Sequence, residues 1–139
     1  DKYLEKYKYQ ASMQEIFQYA DIVSLHIPLT TETTYLLDEN FINQFGKPIY
    51  IINTARGKCV HTKDLVFALE KGKVLGVCLD VLEYEKTSFE NLTAEGLTNE
   101  MQYLIDSKKT ILSPHIAGWT NESKQKIAEV LFQKITTLA

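Results

Sequence analysis

Three residues able to do chemistry stand at comparable places in three separate stretches of the chain. Arg56 follows the apolar run Ile49-Tyr50-Ile51-Ile52 and Asn53, Asp80 closes the run of residues 74–79, and His115 follows Thr110-Ile111-Leu112-Ser113-Pro114. Arginine carries a fixed charge and a planar fork of donors that fits a carboxylate. Histidine is the natural proton carrier near neutral pH. A carboxylate beside it would orient the ring and favour its charged form. Glu83 and Glu85 both lie just past Asp80, and each can serve. A cation, a carboxylate and a histidine in one cleft suit acid–base work on a small molecule bearing its own carboxylate. Arg56 would hold that group and polarise a neighbouring carbonyl. Each residue also has a plainer reading: a surface Arg beside a Gly, a structural histidine after a proline turn, a solvated charge within Glu83-Tyr84-Glu85-Lys86. The three similar endings, taken together, favour a site.

Elements that bring these residues together can be read from the periodicity. Ile49-Tyr50-Ile51-Ile52 has the β-branched and aromatic character of a strand buried on both faces. Further strands are expected over residues 22–27, closed by Pro28, over 74–79 and over 110–112, with 7–9 as a short edge strand. Ser12 and Glu15 have the spacing of a capping box, ahead of a helix with Ile16, Phe17 and Ala20 on its apolar side. Asp38 is a good N-cap for a short helix through Phe45, which Gly46 and Pro48 end. Thr62 is expected to cap a helix with Leu65, Val66 and Leu69 as its buried stripe, and Lys71-Gly72 to stop it. Residues 100–105 have room for one or two helical turns. Thr120 or Asn121 should cap a helix over 122–137, with Ile127, Val130, Leu131 and Ile135 on its inner face. Strands alternating with helices predict an α/β fold: a parallel sheet with right-handed crossovers and helices on both faces. In such a sheet the three polar endings converge along one edge, where open α/β sheets bind ligands.

Composition narrows the partners. The 139 residues fit one domain with a real core. A formal net charge of −3 without any basic run argues against nucleic acid. No apolar stretch is long enough to cross a bilayer and no signal-peptide pattern opens the chain, so no membrane partner is expected. Cys59 and Cys78 lack metal-type spacing, no metal site is expected, and two such thiols suggest a reducing cytoplasm.

Four motifs then carry a resemblance. They are Asp21-Ile22-Val23-Ser24-Leu25-His26-Ile27-Pro28-Leu29-Thr30, Ile52-Asn53-Thr54-Ala55-Arg56-Gly57, residues 76–81, and Ser113-Pro114-His115-Ile116-Ala117-Gly118. In order and spacing they resemble the NAD-dependent D-isomer-specific 2-hydroxyacid dehydrogenases, the family of phosphoglycerate, D-lactate and hydroxypyruvate or glyoxylate dehydrogenases. The resemblance implies that Arg56 clamps the substrate carboxylate and carbonyl. It pairs Glu85, five residues past Asp80, with His115 as general acid/base. Asp80 would hold the nicotinamide carboxamide, Thr54 and Ala55 would line the cofactor, and His26 and Pro28 would lie near its adenosine half. Asp1 resembles the acid that ends the second Rossmann strand and holds the adenosine ribose. Arg56, His115 and Gly118 also count among the cofactor-binding positions. The implied cofactor is NAD, with NADP as the alternative. The implied reaction is hydride transfer between nicotinamide and a 2-hydroxy or 2-keto acid, in a cytoplasmic homodimer.

The chain departs from the family pattern in two places. Lys86 stands where the family commonly has Pro, and no G-x-G-x-x-G occurs. The expected fold is therefore a partial Rossmann (doubly wound) sheet lacking the first strand and the glycine-rich loop. Residues 1–139 would be the C-terminal portion of the NAD-binding domain, with the substrate domain absent. Such a piece should expose one edge of the strand at 22–27, self-associate, and bind NAD weakly or not at all because the pyrophosphate loop is missing. A competing reading from another class is a non-catalytic, corepressor-like binding module on the same domain. A hydrolase is disfavoured, since no G-x-S-x-G elbow is present.

Overall fold

The computed structural model describes residues 10–84 and 97–138. These form one four-stranded parallel sheet in the order β1 (Ile22–Leu25), β2 (Ile49–Asn53), β3 (Val74–Leu79), β4 (Thr110–Leu112). The helices are α1 (Met13–Tyr19), α2 (Glu39–Asn43), α3 (Thr62–Glu70), α4 (Asn99–Asp106) and α5 (Asn121–Leu138), with a single 3-10 turn at Gly57–Cys59. The strands expected over 22–27, 49–52, 74–79 and 110–112 are found, although β1 stops at Leu25, before His26. Residues 7–9 lie outside the described residues. The register is what matters for function: Leu25 pairs with Asn53, Asn53 with Leu79, and Leu79 with Leu112. All four carboxyl ends are therefore level, and the residues just beyond them share one edge.

Local signals explain most boundaries. The Ser12–Glu15 capping box forms in both directions, with the Glu15 amide on the Ser12 hydroxyl and the Ser12 amide on Glu15 Oε2 at 2.7 Å. Those bonds hold the Glu15 carboxyl below its usual range. Asp38 Oδ1 accepts from the Phe41 amide at 2.8 Å and starts α2. Gly72 takes a left-handed φ of 72° just past α3, where a side chain would be strained. Thr62 behaves differently from expectation. It is the first residue of α3, not its cap, and its amide donates to Glu83 Oε2 at 2.9 Å. A carboxylate 21 residues away thus takes the role, favoured there by the helix dipole.

The core sits between the sheet and α1 to α4. Leu25, Ile49, Ile51, Val77 and Leu79 meet Ile42, Phe45, Leu65, Leu69, Met101 and Leu104 there, with Phe17 edge-on to Phe41 and Phe45. Each fully buried aliphatic side chain of this kind stabilises by about 1.5–3 kcal/mol. Among the described residues, the helices packed on the sheet lie on one face. Ile22 is 59% exposed, Tyr50 48% and Ile111 66% on the opposite face, which no described helix covers. The reason is topological. Strands added in one direction by right-handed crossovers place every connecting helix on the same face. Covering the other face requires a reversal of winding, and the described residues contain none. A correction concerns α5. Thr120 Oγ1 caps it through the Ser123 amide at 3.0 Å, as expected. Its apolar stripe, however, packs on nothing described: Ile127 is 60% exposed and Ile135 66%.

Candidate active site

The exit of β2 is built around Asn53, which is completely buried. A buried amide must satisfy both its ends, and this one does so within its own loop. Oδ1 accepts from the Ala55 amide and Nδ2 donates to the Arg56 carbonyl, both at 3.0 Å. This Asx-type turn buries Ala55, half-buries Thr54 and delivers Arg56 to the surface. Arg56 Nη1 donates to the Ala55 carbonyl at 2.6 Å. Gly57 follows because nothing larger fits: a Cβ there would stand 1.9 Å from the Leu82 carbonyl oxygen. The loops after β2 and β3 are thus in direct backbone contact.

Asp80, 4% exposed, organises the exit of β4. Its Oδ1 accepts from the Ser113 hydroxyl at 2.5 Å and from the Ile116 amide at 3.0 Å, and its Oδ2 from the Ala117 amide at 2.9 Å. Burial pushes the carboxyl up, but these three donors and the nearby His115 outweigh it and hold Asp80 below its ordinary value. The Ser113 amide continues the sheet by donating to Leu79, and the His115 amide donates back to the Ser113 carbonyl across Pro114, each at 3.0 Å. His115 itself is exposed and takes a left-handed φ of 55°. Such a conformation costs a non-glycine residue about 1–2 kcal/mol. The bonds to Asp80 on both sides of it hold the backbone there.

Of the two glutamates left open by the sequence, Glu83 is committed elsewhere. It caps α3 at Thr62, and its carboxylate beside the Tyr35 hydroxyl raises that group's pKa. Tyr35, also left-handed at φ 54°, stacks edge-on to His61. Glu85 and Asp1 lie outside the described residues. At the β1 exit, Ser24 Oγ is 2.8 Å from His26 Nε2, and Pro28 offers its carbonyl to the Thr33 hydroxyl at 2.7 Å. Hence Arg56, Asp80, His115, His26, Pro28, Thr54 and Ala55 all fall just beyond level strand ends. Gly118 closes the last turn. Sequence reasoning assigned no part to Ser113, Tyr35 or the Asn53 side chain. Only the place of a polar residue at the end of an apolar run pointed to Asn53.

A parallel sheet in sequential order with charged side chains gathered at its carboxyl edge defines a class: a Rossmann-like α/β domain with its ligand crevice at that edge. The family description "D-isomer specific 2-hydroxyacid dehydrogenase, NAD binding domain" matches residues 1–117. A glyoxylate reductase of Thermofilum pendens is 37% identical over 125 residues, covering 85% of this chain and 32% of the relative. A D-lactate dehydrogenase of Streptococcus pyogenes is 34% identical over 123 residues, covering 87% and 37%. The crystal structure of a D-lactate dehydrogenase from Aquifex aeolicus, complexed with NAD and lactic acid, superposes with a TM-score of 0.70 at 32% identity, over 92% of this chain and 40% of that one. The chain belongs to the D-isomer specific 2-hydroxyacid dehydrogenase family and corresponds to its NAD-binding domain. It spans less than half the length of these relatives.

Among the described residues the carboxyl edge is open to that cofactor. Arg56 and His115 present exposed side chains at the edge. Nothing lies within 4 Å of where a Cβ on Gly118 would stand, so the glycine keeps open space that the described residues do not fill.

Proposed function

We propose that the chain carries the catalytic edge of an NAD-dependent oxidoreductase acting on a D-2-hydroxy acid or its 2-keto counterpart. The observation that supports this most is the level register of Leu25, Asn53, Leu79 and Leu112, which sets Arg56, Asp80 and His115 along one edge. The bound nicotinamide supplies a hydride acceptor at its C4. Arg56 grips the substrate carboxylate with its guanidinium fork and polarises the C2 oxygen. His115 takes the hydroxyl proton as the C2–H leaves as hydride, and returns it when the keto acid is reduced. Glu85 is the carboxylate that pairs with His115. Thr54, Ala55, Asp80 and Gly118 line the nicotinamide end, His26 and Pro28 the adenosine half, and Asp1 the ribose. A corepressor-like module has less in its favour, since it leaves Arg56 and His115 without work.

We extend the reading to a cytoplasmic homodimer. Free thiols at Cys59 and Cys78 support a reducing compartment. The uncovered Ile22, Tyr50 and Ile111 face supports further association.

The test uses the complete protein that carries this chain, with NADH formation followed for D- and L-2-hydroxy acids. Turnover of the D-isomers is expected, and Arg56→Lys should lower kcat/KM by about 100-fold, because a point charge cannot replace the fork. Near-normal kcat/KM in that variant would remove Arg56 from the clamp, and no turnover of any 2-hydroxy acid by the wild type would overturn the assignment.

A further inference from the structure

We propose that Ser113 is a positioning residue for the general acid/base. This inference rests on the role assigned to His115 above. Ser113 is held to β3 at two points: its amide donates to the Leu79 carbonyl and its hydroxyl to Asp80 Oδ1 at 2.5 Å. It also accepts the His115 amide on its own carbonyl at 3.0 Å. One and two residues past His115, the Ile116 and Ala117 amides bind the same carboxylate. Asp80 therefore straddles His115, gripping the turn before and after it. The backbone between those grips is left-handed at His115, a conformation that an unrestrained histidine leaves readily. Pro114 fixes one dihedral of the turn. The Ser113 hydroxyl fixes the turn's distance from Asp80.

Removing that hydroxyl leaves Oδ1 with the Ile116 amide alone and unties the side chain on the upstream side. The imidazole would then sample positions away from the substrate hydroxyl. Placement of a proton acceptor is a turnover effect, because the geometry matters most in the transition state. Binding of the dinucleotide, made along the whole edge, should change little. Threonine keeps the hydroxyl and should keep the function.

The experiment compares Ser113→Ala, Ser113→Thr and His115→Asn in the complete protein. Ser113→Ala is expected to lower kcat by about 10- to 100-fold with KM for NAD within about 2-fold of wild type. Ser113→Thr is expected to restore kcat to within about 3-fold. Hydrogen exchange at the Ile116 and Ala117 amides should quicken in Ser113→Ala and not in Ser113→Thr, a readout independent of turnover. Wild-type kcat in Ser113→Ala beside an inactive His115→Asn overturns the inference and leaves the dehydrogenase reading standing. Failure of threonine to rescue, or a rise in KM for NAD matching the loss in kcat, shows a merely structural role and also overturns it. Wild-type turnover in His115→Asn overturns both.

Discussion

Asn53 and Asp80 are both buried polar residues at the carboxyl end of a central strand, yet they work at different ranges. Asn53 spends its side chain on Ala55 and Arg56, two and three residues away. Asp80 spends its side chain on Ser113, Ile116 and Ala117, at least 33 residues away. One shapes its own loop and so aims Arg56. The other shapes a neighbouring strand's turn and so aims His115. The loops that carry Arg56 and His115 are thus shaped by two devices, joined by the backbone bond from the Asp80 amide to the Asn53 carbonyl, 3.0 Å, and by the close approach of Gly57 to Leu82. Local and long-range anchoring should fail differently when broken.

The largest effect is expected where the two loops meet. Gly57→Ala forces a Cβ into the Leu82 carbonyl, 1.9 Å away, and backbone cannot give as a side chain can. Destabilisation above about 4 kcal/mol is expected, seen as a lowered urea midpoint or loss of soluble protein. A normal midpoint would mean that the loops separate freely and the two devices are not in register.

Asp80→Ala comes next. It strands a hydroxyl and two amides, for about 3–4 kcal/mol. Asp80→Asn tests the charge through pH. The folded carboxyl is held below its ordinary 3.8, so its stabilisation is complete above that value and is lost as pH falls through the lowered one. The stability gap between wild type and Asp80→Asn should be flat above about pH 5 and narrow below about pH 4. A gap that instead widens on acidification would show that the carboxyl is raised on folding.

Asn53→Ala should cost less, about 2 kcal/mol, because only the Ala55 amide is left without its acceptor while the Arg56 carbonyl keeps the Cys59 amide. Its signature is selective: substrate KM should rise through Arg56, whereas the exchange rates of the Ile116 and Ala117 amides should stay as in wild type. Faster exchange in both loops would merge the two devices into one.

Much of this was legible in the sequence where the cause is local. The capping box at Ser12 and Glu15, the Asp38 cap and the four apolar runs depend on neighbours within a turn or on side-chain type, and each element stands where its signal lies. The level strand ends followed from parallel pairing of runs with similar polar endings. What failed to show was long-range. Thr62 looks like a cap by type, but the group at the start of α3 is Glu83, brought there because Gly57 lets the β3 exit pass over it. The stripe on α5 has helical spacing, and spacing says only that a face is apolar, not what covers it.

By itself, then, the chain determined its strands, most of its helices, the order of its motifs and which side chains could do chemistry, because periodicity and capping act within a few residues. The tertiary structure decided which carboxylate serves which partner. It assigned Glu83 to a helix start and Asp80 to a turn over 30 residues away. It also set the described helices that pack on the sheet on one face, since the direction of right-handed crossovers, not composition, chooses the side on which helices pack.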